Sequence, residues 1–364
     1  MDEKNKKVIQ RIEGEISRIN KKENKVFFFV IDTKGVPSGS LAYIYELAMI
    51  LKEEGYDVTM LHTEDEFVGV GGWLGADYAA LPHENVNGSE IATAVSDVLF
   101  IPEIYANVMN QTKQLPCKRV AILQNYDFVV EQVPFGAQWG DFKIMDAITN
   151  SSYQARQLHG IFPYVSTHKV TPFIDKVFGN TKEPKKMIVN IVAKNQGDIN
   201  KVVKPFYWKY PSFKWVSFRD IRGESREKVA QLMREAAITV WIDEDASFGY
   251  SALEAMKSGS IVMSKIPRTE LEWEFDAESG EYRNCCVWFD DYNTLHKQLA
   301  SVVRSWITDR VPEILEKETE MVTGSFNRNR TKTELMTAFN EILEKRVNEM
   351  RDIINDIKKQ DKEG

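Results

Sequence analysis

Hydrophobic and polar positions along the chain follow two different spacings. Near the start, apolar residues from Val8 to Ile19 recur every three or four positions among charges, which predicts an amphipathic helix within residues 1–24. The continuous apolar run Lys25–Ile31 then suits a strand buried on both faces, as in a parallel sheet. Strand-like and helix-like segments alternate from there on, which predicts right-handed βαβ units and an α/β fold.

The alternation pauses once and restarts. Residues 180–186 (Asn-Thr-Lys-Glu-Pro-Lys-Lys) have the composition of a linker. We therefore predict one Rossmann-like domain over residues 25–178 and a second over residues 179–330. A single large sheet would also alternate, but the linker and the restart favour two domains. Predicted strands lie at 25–31, 58–62, 97–101, 119–123 and 146–149 in the first domain, and at 187–193, 214–218, 239–242 and 260–264 in the second.

The C-terminal residues 331–364 have a different pattern. Methionine, leucine or isoleucine recurs every seven positions at Met336, Leu343, Met350 and Ile357, which predicts one long helix. Phe339 and Ile353 fall on the complementary positions of the same apolar seam. Two interpretations remain open at this point. The helix either joins copies of the chain in a coiled coil, giving a homo-oligomer, or lies across the first domain.

Composition narrows the class of protein. The 364 residues include 47 Lys and Arg against 54 Asp and Glu, a net charge of −7, which argues against non-specific nucleic-acid binding. No apolar run approaches the ~18 residues of a membrane helix, and no secretory signal is visible. The three cysteines form neither a disulfide framework nor a metal pair, and the five histidines lack metal-ligand spacing. We expect a cytoplasmic protein without a membrane span.

The segment with the clearest chemistry runs from Trp241 to Met263. A predicted buried strand ends in acidic residues, a turn at Gly249 follows, and a helix starts near Ser251. Ligands of open α/β sheets bind at the carboxyl ends of strands, and a helix N-terminus suits a phosphate. Glu254, on the first turn, could accept hydrogen bonds from a ribose diol. Alternatively, it only complements the helix dipole.

The same segment resembles a known family. Phe248-Gly-Tyr-Ser-Ala-Leu-Glu-Ala-Met-Lys-Ser-Gly259, followed by Ile261-Val-Met263, is similar to the signature of the GT-B retaining glycosyltransferases of the large family numbered four. Residues 37–40, 148–156 and 170–175 resemble further elements of that family. The resemblance implies two Rossmann-like domains facing across a cleft, and transfer of a sugar, with retention, from a nucleoside-diphosphate sugar to an acceptor hydroxyl. It implies neither a metal nor a further cofactor.

The resemblance also implies roles for individual residues. Glu254 would bind ribose hydroxyls, and the turn before it would present amides or a hydroxyl to phosphate and sugar. Lys194 stands in the place of a family arginine that steadies the diphosphate, with Lys201 as its companion. Gly39 falls in the turn after the first strand. The implied donor-binding residues are Gly39, Lys194, Lys201, Phe248, Gly249, Tyr250, Ser251 and Glu254.

Two departures of the sequence from the family pattern bear on the predicted site residues. Ala246 stands where the family has the first of two paired glutamates, and Glu244 or Asp245 could substitute if the loop is shifted. The family histidine after the fourth strand of the first domain is absent. Asn125 and Asp127 lie there and are the candidate catalytic residues.

These departures leave alternatives open. The segment Lys204–Arg219 mixes cations with aromatic residues, a composition used for phosphate contact and base stacking, although a helix end followed by a buried strand explains it more simply. One alternative is thus a phage-type DNA glycosyltransferase acting on hydroxymethylated bases. Another is a catalytically weak sugar-nucleotide-binding or assembly protein. The acceptor stays open between glycan, small molecule, protein and modified DNA.

Overall fold

A computed structural model describes residues 3–88, 91–275, 279–310 and 313–363. The chain divides into two compact units, each with one parallel sheet. The first unit comprises residues 1–71, 76–170 and 332–364, and the second comprises residues 72–75 and 171–331. The division after Val170 precedes the position predicted near residue 178, and the C-terminal helix belongs to the first unit.

The first unit is built on a sheet of seven parallel strands in the order β3-β2-β1-β4-β5-β6-β7. The strands are β1 (Lys25–Phe29), β2 (Asp57–His62), β3 (His83–Asn85), β4 (Val98–Pro102), β5 (Lys118–Leu123), β6 (Asp146–Thr149) and β7 (Ser166–Lys169). Helices α1 (Glu3–Asn20), α2 (Gly39–Glu53), α3 (Ala76–Ala79), α4 (Ala106–Gln111), α5 (Tyr126–Gln132) and α6 (Ser152–Ile161) alternate with them. Central strands are apolar on both sides: all of β4 is buried, and Phe28 stacks on Phe100 with ring centroids 4.6 Å apart.

The second unit has five parallel strands in the order β12-β11-β10-β8-β9. These are β8 (Lys186–Ala193), β9 (Ser217–Asp220), β10 (Ala236–Ile242), β11 (Ile261–Lys265) and β12 (Val287–Phe289). Its helices are α7 (Gln196–Lys209), α8 (Arg226–Glu235), α9 (Tyr250–Lys257), α10 (Tyr292–Ile307) and α11 (Glu313–Ser325). The strand expected at 214–218 is displaced to 217–220, because Pro211–Phe213 forms a 3-10 turn first. β9 is an edge strand without a buried residue, so the expectation of a buried strand there was wrong.

The long C-terminal helix α12 (Arg328–Glu363) packs on the first unit. Its buried stripe includes Leu335, Phe339, Ile342, Leu343, Val347, Met350 and Ile354. Phe339 meets Tyr56 edge-to-face at 5.0 Å and lies 6.0 Å from Phe100. Of the positions predicted on the seam, Ile353 is 49% exposed. The structure therefore matches the interpretation in which the helix lies across the first domain, and a homo-oligomer formed through this helix stays a prediction.

Candidate functional site

The order of strands places a ligand site in the second unit. Strand β9 pairs with one side of β8, and the next strand along the chain, β10, pairs with the other side. The strand order therefore reverses between β8 and β10. Open α/β sheets bind ligands beside the carboxyl ends of strands at such a reversal. Lys194 directly follows β8 and Asp243 directly follows β10. Their side chains form an ion pair with Nζ and Oδ1 2.7 Å apart, which puts Lys194 at this edge of the sheet.

Gly249 forms the turn that enters α9, and both its backbone conformation and its close neighbours favour glycine. Its φ is +79°, in the left-handed region that favours glycine. A Cβ atom at this position would lie 2.9 Å from Cζ2 of Trp273 and 3.1 Å from Cη2 of Trp241. As the N-cap, Gly249 has no side chain to accept a hydrogen bond from the first-turn N–H groups of α9. The N–H of Ser251, in the first turn, consequently faces no capping side chain and suits an anionic ligand.

Trp273 supports the loop that leads into this turn. The indole Nε1 donates a hydrogen bond to the carbonyl of Phe248 at 2.7 Å, and Trp273 stacks on Trp288 at 5.7 Å. The Phe248 side chain is 1% exposed and packs 5.4 Å from Phe326. The Phe248 side chain therefore lies in the core and supports the turn, and donor binding by Phe248 stays a prediction.

Glu254 presents a carboxylate that the protein itself leaves unused. Within the described part of the chain its side chain accepts no hydrogen bond, and it is half-buried. Its pKa is raised to about 7, mainly by burial, while the nearby Arg226 lowers the pKa and Asp175 raises it. Arg226 is itself paired with Asp175, with Nη1 and Oδ2 3.2 Å apart. Glu254 thus titrates near neutral pH and can accept hydrogen bonds from hydroxyl groups of a ligand.

A second cation, Lys201, lies on the second turn of α7. Its Nζ is 3.0 Å from Oδ1 of Asp198 and 5.3 Å from the centre of the Tyr292 ring. The side chains of Lys194 and Lys201 are 63% and 59% exposed. Exposed ion pairs contribute little to stability, so both lysines can exchange their carboxylate partners for the phosphates of a ligand.

Sequence reasoning missed Arg222, which lies just beyond β9. Its Nη1 donates to the carbonyl of Lys194 at 3.4 Å, and its Nη2 donates to Oε1 of Gln196 at 3.1 Å. Asp220 pairs with the same guanidinium at 2.6 Å. Arg222 therefore adds a third cation at the carboxyl edge of the sheet. The signal in the sequence was an arginine two residues after the end of a strand. It was missed because that strand was predicted too early, at residues 214–218.

The acidic loop before the turn is paired with cations. Glu244 accepts from Arg268 at 3.2 Å and lies 3.5 Å from Lys265. Asp245 lies 3.6 Å from Arg268 as well. Ala246 is 6% exposed, so a side chain at that position points into the protein. Both carboxylates have Arg268 as a partner. That Glu244 or Asp245 takes the role of the family glutamate stays a prediction.

The first unit has its own strand reversal, between β1 and β4, where α2 begins at Gly39. Ser38 caps this helix by accepting a hydrogen bond from the N–H of Leu41 at 3.3 Å. Asn125 follows β5 and caps α5 by accepting a hydrogen bond from the N–H of Asp127 at 3.1 Å. The Asp127 side chain is exposed. Gly39, Asn125 and Asp127 belong to the first unit, and the other candidate residues belong to the second.

Glu103, at the end of β4, is a buried acid that sequence reasoning missed. It is 2% exposed, and its Oε1 accepts the N–H groups of Gln124 at 3.1 Å and Asn125 at 2.8 Å. Gln124 in turn donates to the carbonyl of Ser40 at 3.1 Å. Burial raises the pKa of Glu103 to about 7, although the hydrogen bonds that its carboxylate accepts act to lower the pKa. An acid directly after the fully apolar strand Val98–Pro102 was the signal in the sequence.

A cavity of about 90 Å³ adjoins Glu103 and Gln124 in the first unit. Thr33 and Tyr105 also line it, and their hydroxyl oxygens are buried without a hydrogen-bond partner among the described residues. Buried hydroxyls are normally hydrogen-bonded, so these two can bind a polar group or water in the cavity. Glu103 thus connects the α2 turn, the α5 cap and this cavity.

The described residues contain neither a metal-binding cluster nor a membrane-spanning helix. No group of three or more His, Cys, Asp or Glu side chains in residues 3–88, 91–275, 279–310 and 313–363 is arranged to hold a metal ion. Among the helices of those same ranges, none combines the length and the apolar character needed to cross a bilayer.

Comparison with known proteins connects the chain to glycosyltransferases. An α-1,6-glucosyltransferase of Actinobacillus pleuropneumoniae serotype 7 is 25% identical to it over 204 residues, which are 53% of this chain and 60% of the relative. The chain thus spans less than two thirds of that relative's length. No family model matches the chain.

Solved structures establish the fold. A sucrose-phosphate synthase from Thermosynechococcus elongatus matches with a TM-score of 0.58 at 12% identity, covering 88% of this chain and 99% of that one. A glycosyltransferase from Rickettsia africae matches with a TM-score of 0.60 at 12% identity, covering 88% and 98%. The catalytic domain of starch synthase IV from Arabidopsis thaliana, bound to ADP and acarbose, matches with a TM-score of 0.55 at 10% identity, covering 89% and 99%. The predicted α/β fold, with two parallel sheets of the GT-B type and a long C-terminal helix, is confirmed.

Proposed function

We propose that the chain is a glycosyltransferase that moves a sugar from a nucleoside-diphosphate sugar to an acceptor hydroxyl. The observation that carries the proposal is the combination, in α9, of a helix N-terminus without a capping side chain at Gly249 and the carboxylate of Glu254, which accepts no hydrogen bond among the described residues. One feature suits a phosphate and the other a ribose diol. The similarity to an α-1,6-glucosyltransferase is independent support.

In this proposal the second unit binds the donor. Glu254 accepts the ribose hydroxyls, and the N–H groups at the start of α9 hold a phosphate. Lys194, Lys201 and Arg222, all at the carboxyl edge of the sheet, offset the charge that develops on the departing diphosphate. Fixed cations aimed at developing charge are a large source of rate enhancement in such sites.

We also propose that transfer occurs with retention and needs no metal, as in the family numbered four, of which the chain would be a divergent member. The three cations supply the positive charge that a metal ion would otherwise provide to the leaving group. Retention from an α-linked donor produces an α-linkage, which is the linkage in the name of the similar glucosyltransferase.

The acceptor is proposed to bind the first unit. Asn125 and Asp127 lie together at the start of α5, and Glu103 holds the backbone of Asn125. The amide of Asn125 can hydrogen-bond a sugar hydroxyl while its carbonyl oxygen caps the helix. The names of the similar proteins concern carbohydrate acceptors or products, which favours a glycan over modified DNA.

A donor panel tests this function. UDP-, ADP- and GDP-glucose would be incubated with the full chain and either short glucans or hydroxymethylated DNA, and release of nucleoside diphosphate followed. We expect release with at least one donor, stimulated by a glucan and unaffected by a chelator. Stimulation by DNA alone would select the DNA glycosyltransferase, and tight binding without release would select the non-catalytic alternative. Neither binding nor release with any donor would contradict the proposal.

A further inference from the structure

A surface of the second unit remains outside the proposed catalytic role. It lies where α7 ends and the chain turns toward β9, and it carries two exposed indoles: Trp208 is 76% exposed and Trp215 is 50% exposed. The sequence interpretation expected this segment to pack on the sheet. The buried side chains Phe206, Phe213 and Val216 do so, while both tryptophans face solvent.

Cations surround the two indoles. Lys204, Lys209 and Lys214 are exposed, and with Trp208 and Trp215 they define the basic indole face. Residues 204–215 contain three lysines and no acid, in a chain whose net charge is −7. The charge of this face is therefore opposite to that of the molecule as a whole, and it suits an anionic partner.

The end of α10 extends the same face. The guanidinium of Arg304 lies 5.3 Å from the centre of the Phe213 ring, which joins the two segments. Ile307, one turn further along α10, is 52% exposed, and Arg310 is exposed beside it. Asp309 is the only acid in residues 304–310. The extension thus adds one aliphatic side chain and two cations.

The shape of the face favours a planar partner over a strand. Its residues lie on a helix end and a turn, and the described cavities beside Gln124, His168 and Trp273 are lined by other residues. Proteins that bind single-stranded nucleic acid use a basic groove that follows the backbone. Exposed tryptophans with lysines around them are instead typical of surfaces that rest at the headgroup level of an anionic bilayer.

We infer that the basic indole face docks the second unit on the surface of an anionic lipid bilayer. The indoles enter the headgroup region, and the lysines pair with lipid phosphates while their aliphatic stems lie along the apolar boundary. This contact is peripheral, in accord with the lack of a bilayer-spanning helix among the described residues. It is independent of the residues assigned to donor and acceptor.

Vesicle sedimentation with the full chain tests this inference. We expect binding to vesicles of equal parts phosphatidylglycerol and phosphatidylcholine, none to phosphatidylcholine alone, and weaker binding as salt is raised. Lys204→Ser and Lys214→Ser should each weaken binding about fivefold. Trp208→Ser and Trp215→Ser should each weaken it by at least about as much, since each removes an inserted side chain. Both tryptophans are exposed, so the fold should tolerate these changes, and an unchanged unfolding midpoint verifies this.

Phe135→Ser provides the matched control, because Phe135 is fully exposed but lies in the first unit. It should bind vesicles like the unaltered chain. No binding of the unaltered chain to anionic vesicles at low salt would overturn the inference, and so would equal binding by the tryptophan variants. Tryptophan-dependent binding of an oligothymidylate, with vesicle binding unaffected by the same variants, would overturn it in favour of a nucleic-acid surface.

Discussion

Gly249 shows how far a single residue type can determine a site. The sequence motif placed a glycine before a helix, but a motif does not say why alanine fails there. The structure gives two reasons: a left-handed backbone conformation, and the rings of Trp241 and Trp273 where a Cβ would lie. Neither ring was predicted to support the turn, because Trp273 follows it by many residues and its packing depends on tertiary structure.

Gly249→Ala should therefore destabilise the chain by about 2–4 kcal/mol, from backbone strain and overpacking together. Gly223→Ala is the matched control, since Gly223 has a φ of +77° but nothing within 4 Å of its Cβ position. That variant should lose only about 1 kcal/mol. Urea unfolding of both variants measures the difference. Equal losses would contradict the packing role of the two tryptophans.

Glu103 makes stability depend on pH. Burial raises its pKa to about 7 from an ordinary value of 4.5, so the folded chain binds more protons than the unfolded chain between those values. Stability therefore falls as pH rises through this window. Glu103→Gln keeps an acceptor for the N–H groups of Gln124 and Asn125 but cannot ionise. The variant should lose less stability than the unaltered chain between pH 5 and pH 8.

Urea unfolding at the two pH values measures this effect, with Glu131→Gln as the control. Glu131 is an exposed acid of α5, so its replacement should leave the pH dependence unchanged. An identical pH dependence in Glu103→Gln and the unaltered chain would show that Glu103 is ionised throughout.

At the scale of elements, hydrophobic patterning predicted the long or apolar segments and missed the short ones. The strands β1, β4, β5, β8 and β10 each contain a run of three or more apolar residues, which a local pattern reveals. By contrast, β3 and β7 have only three and four residues, all of them polar. Their pairing comes from their neighbours in the sheet, so a local pattern could not identify them.

Helix α12 is a case in which the pattern left two interpretations open. A stripe of apolar residues looks the same whether it packs on another copy or on the same chain, and only the tertiary contacts of Phe339 with Tyr56 and Phe100 separate the two. The observed stripe also drifts from the seven-residue repeat, as a helix packed on a globular body does.

Phe339→Ala should consequently cost about 3–5 kcal/mol, the usual loss for a fully buried phenylalanine. Ile353→Ala, at a half-exposed position on the predicted seam, should cost less than about 1 kcal/mol. Thermal unfolding measures both losses. Light scattering on Ile353→Ala completes the test: a drop in oligomeric state would restore the coiled-coil interpretation.

At the scale of the molecule, each unit contributes one strand reversal with a distinct set of groups. Cations and an open helix N-terminus mark the second unit, whereas a buried acid, an amide and unpartnered hydroxyls mark the first. The fold class and the donor motif could be predicted because they are local in sequence. Glu103 and Arg222 could not be assigned, because their roles depend on which strand ends are neighbours.

Because the proposed donor-binding and acceptor-binding residues lie in different units, substitutions in the two units should impair different steps of the reaction. Lys194→Ala should weaken UDP binding about tenfold or more while leaving uridine binding unchanged, because it removes a contact to phosphate. Asn125→Ala should reduce turnover and leave UDP affinity as it is. Asn125→Ser, which keeps an acceptor for the N–H of Asp127, controls for loss of the α5 cap. A loss of UDP affinity in Asn125→Ala would contradict the division.

The most direct test of the central claim is calorimetric titration of the unaltered chain and Glu254→Ala with UDP, ADP and GDP. We predict that the unaltered chain binds at least one of these nucleotides and that Glu254→Ala binds it at least about tenfold more weakly, with an unchanged unfolding midpoint. Equal affinity in the two proteins, or no binding of any of the three nucleotides to the unaltered chain, would contradict the assignment of the donor site.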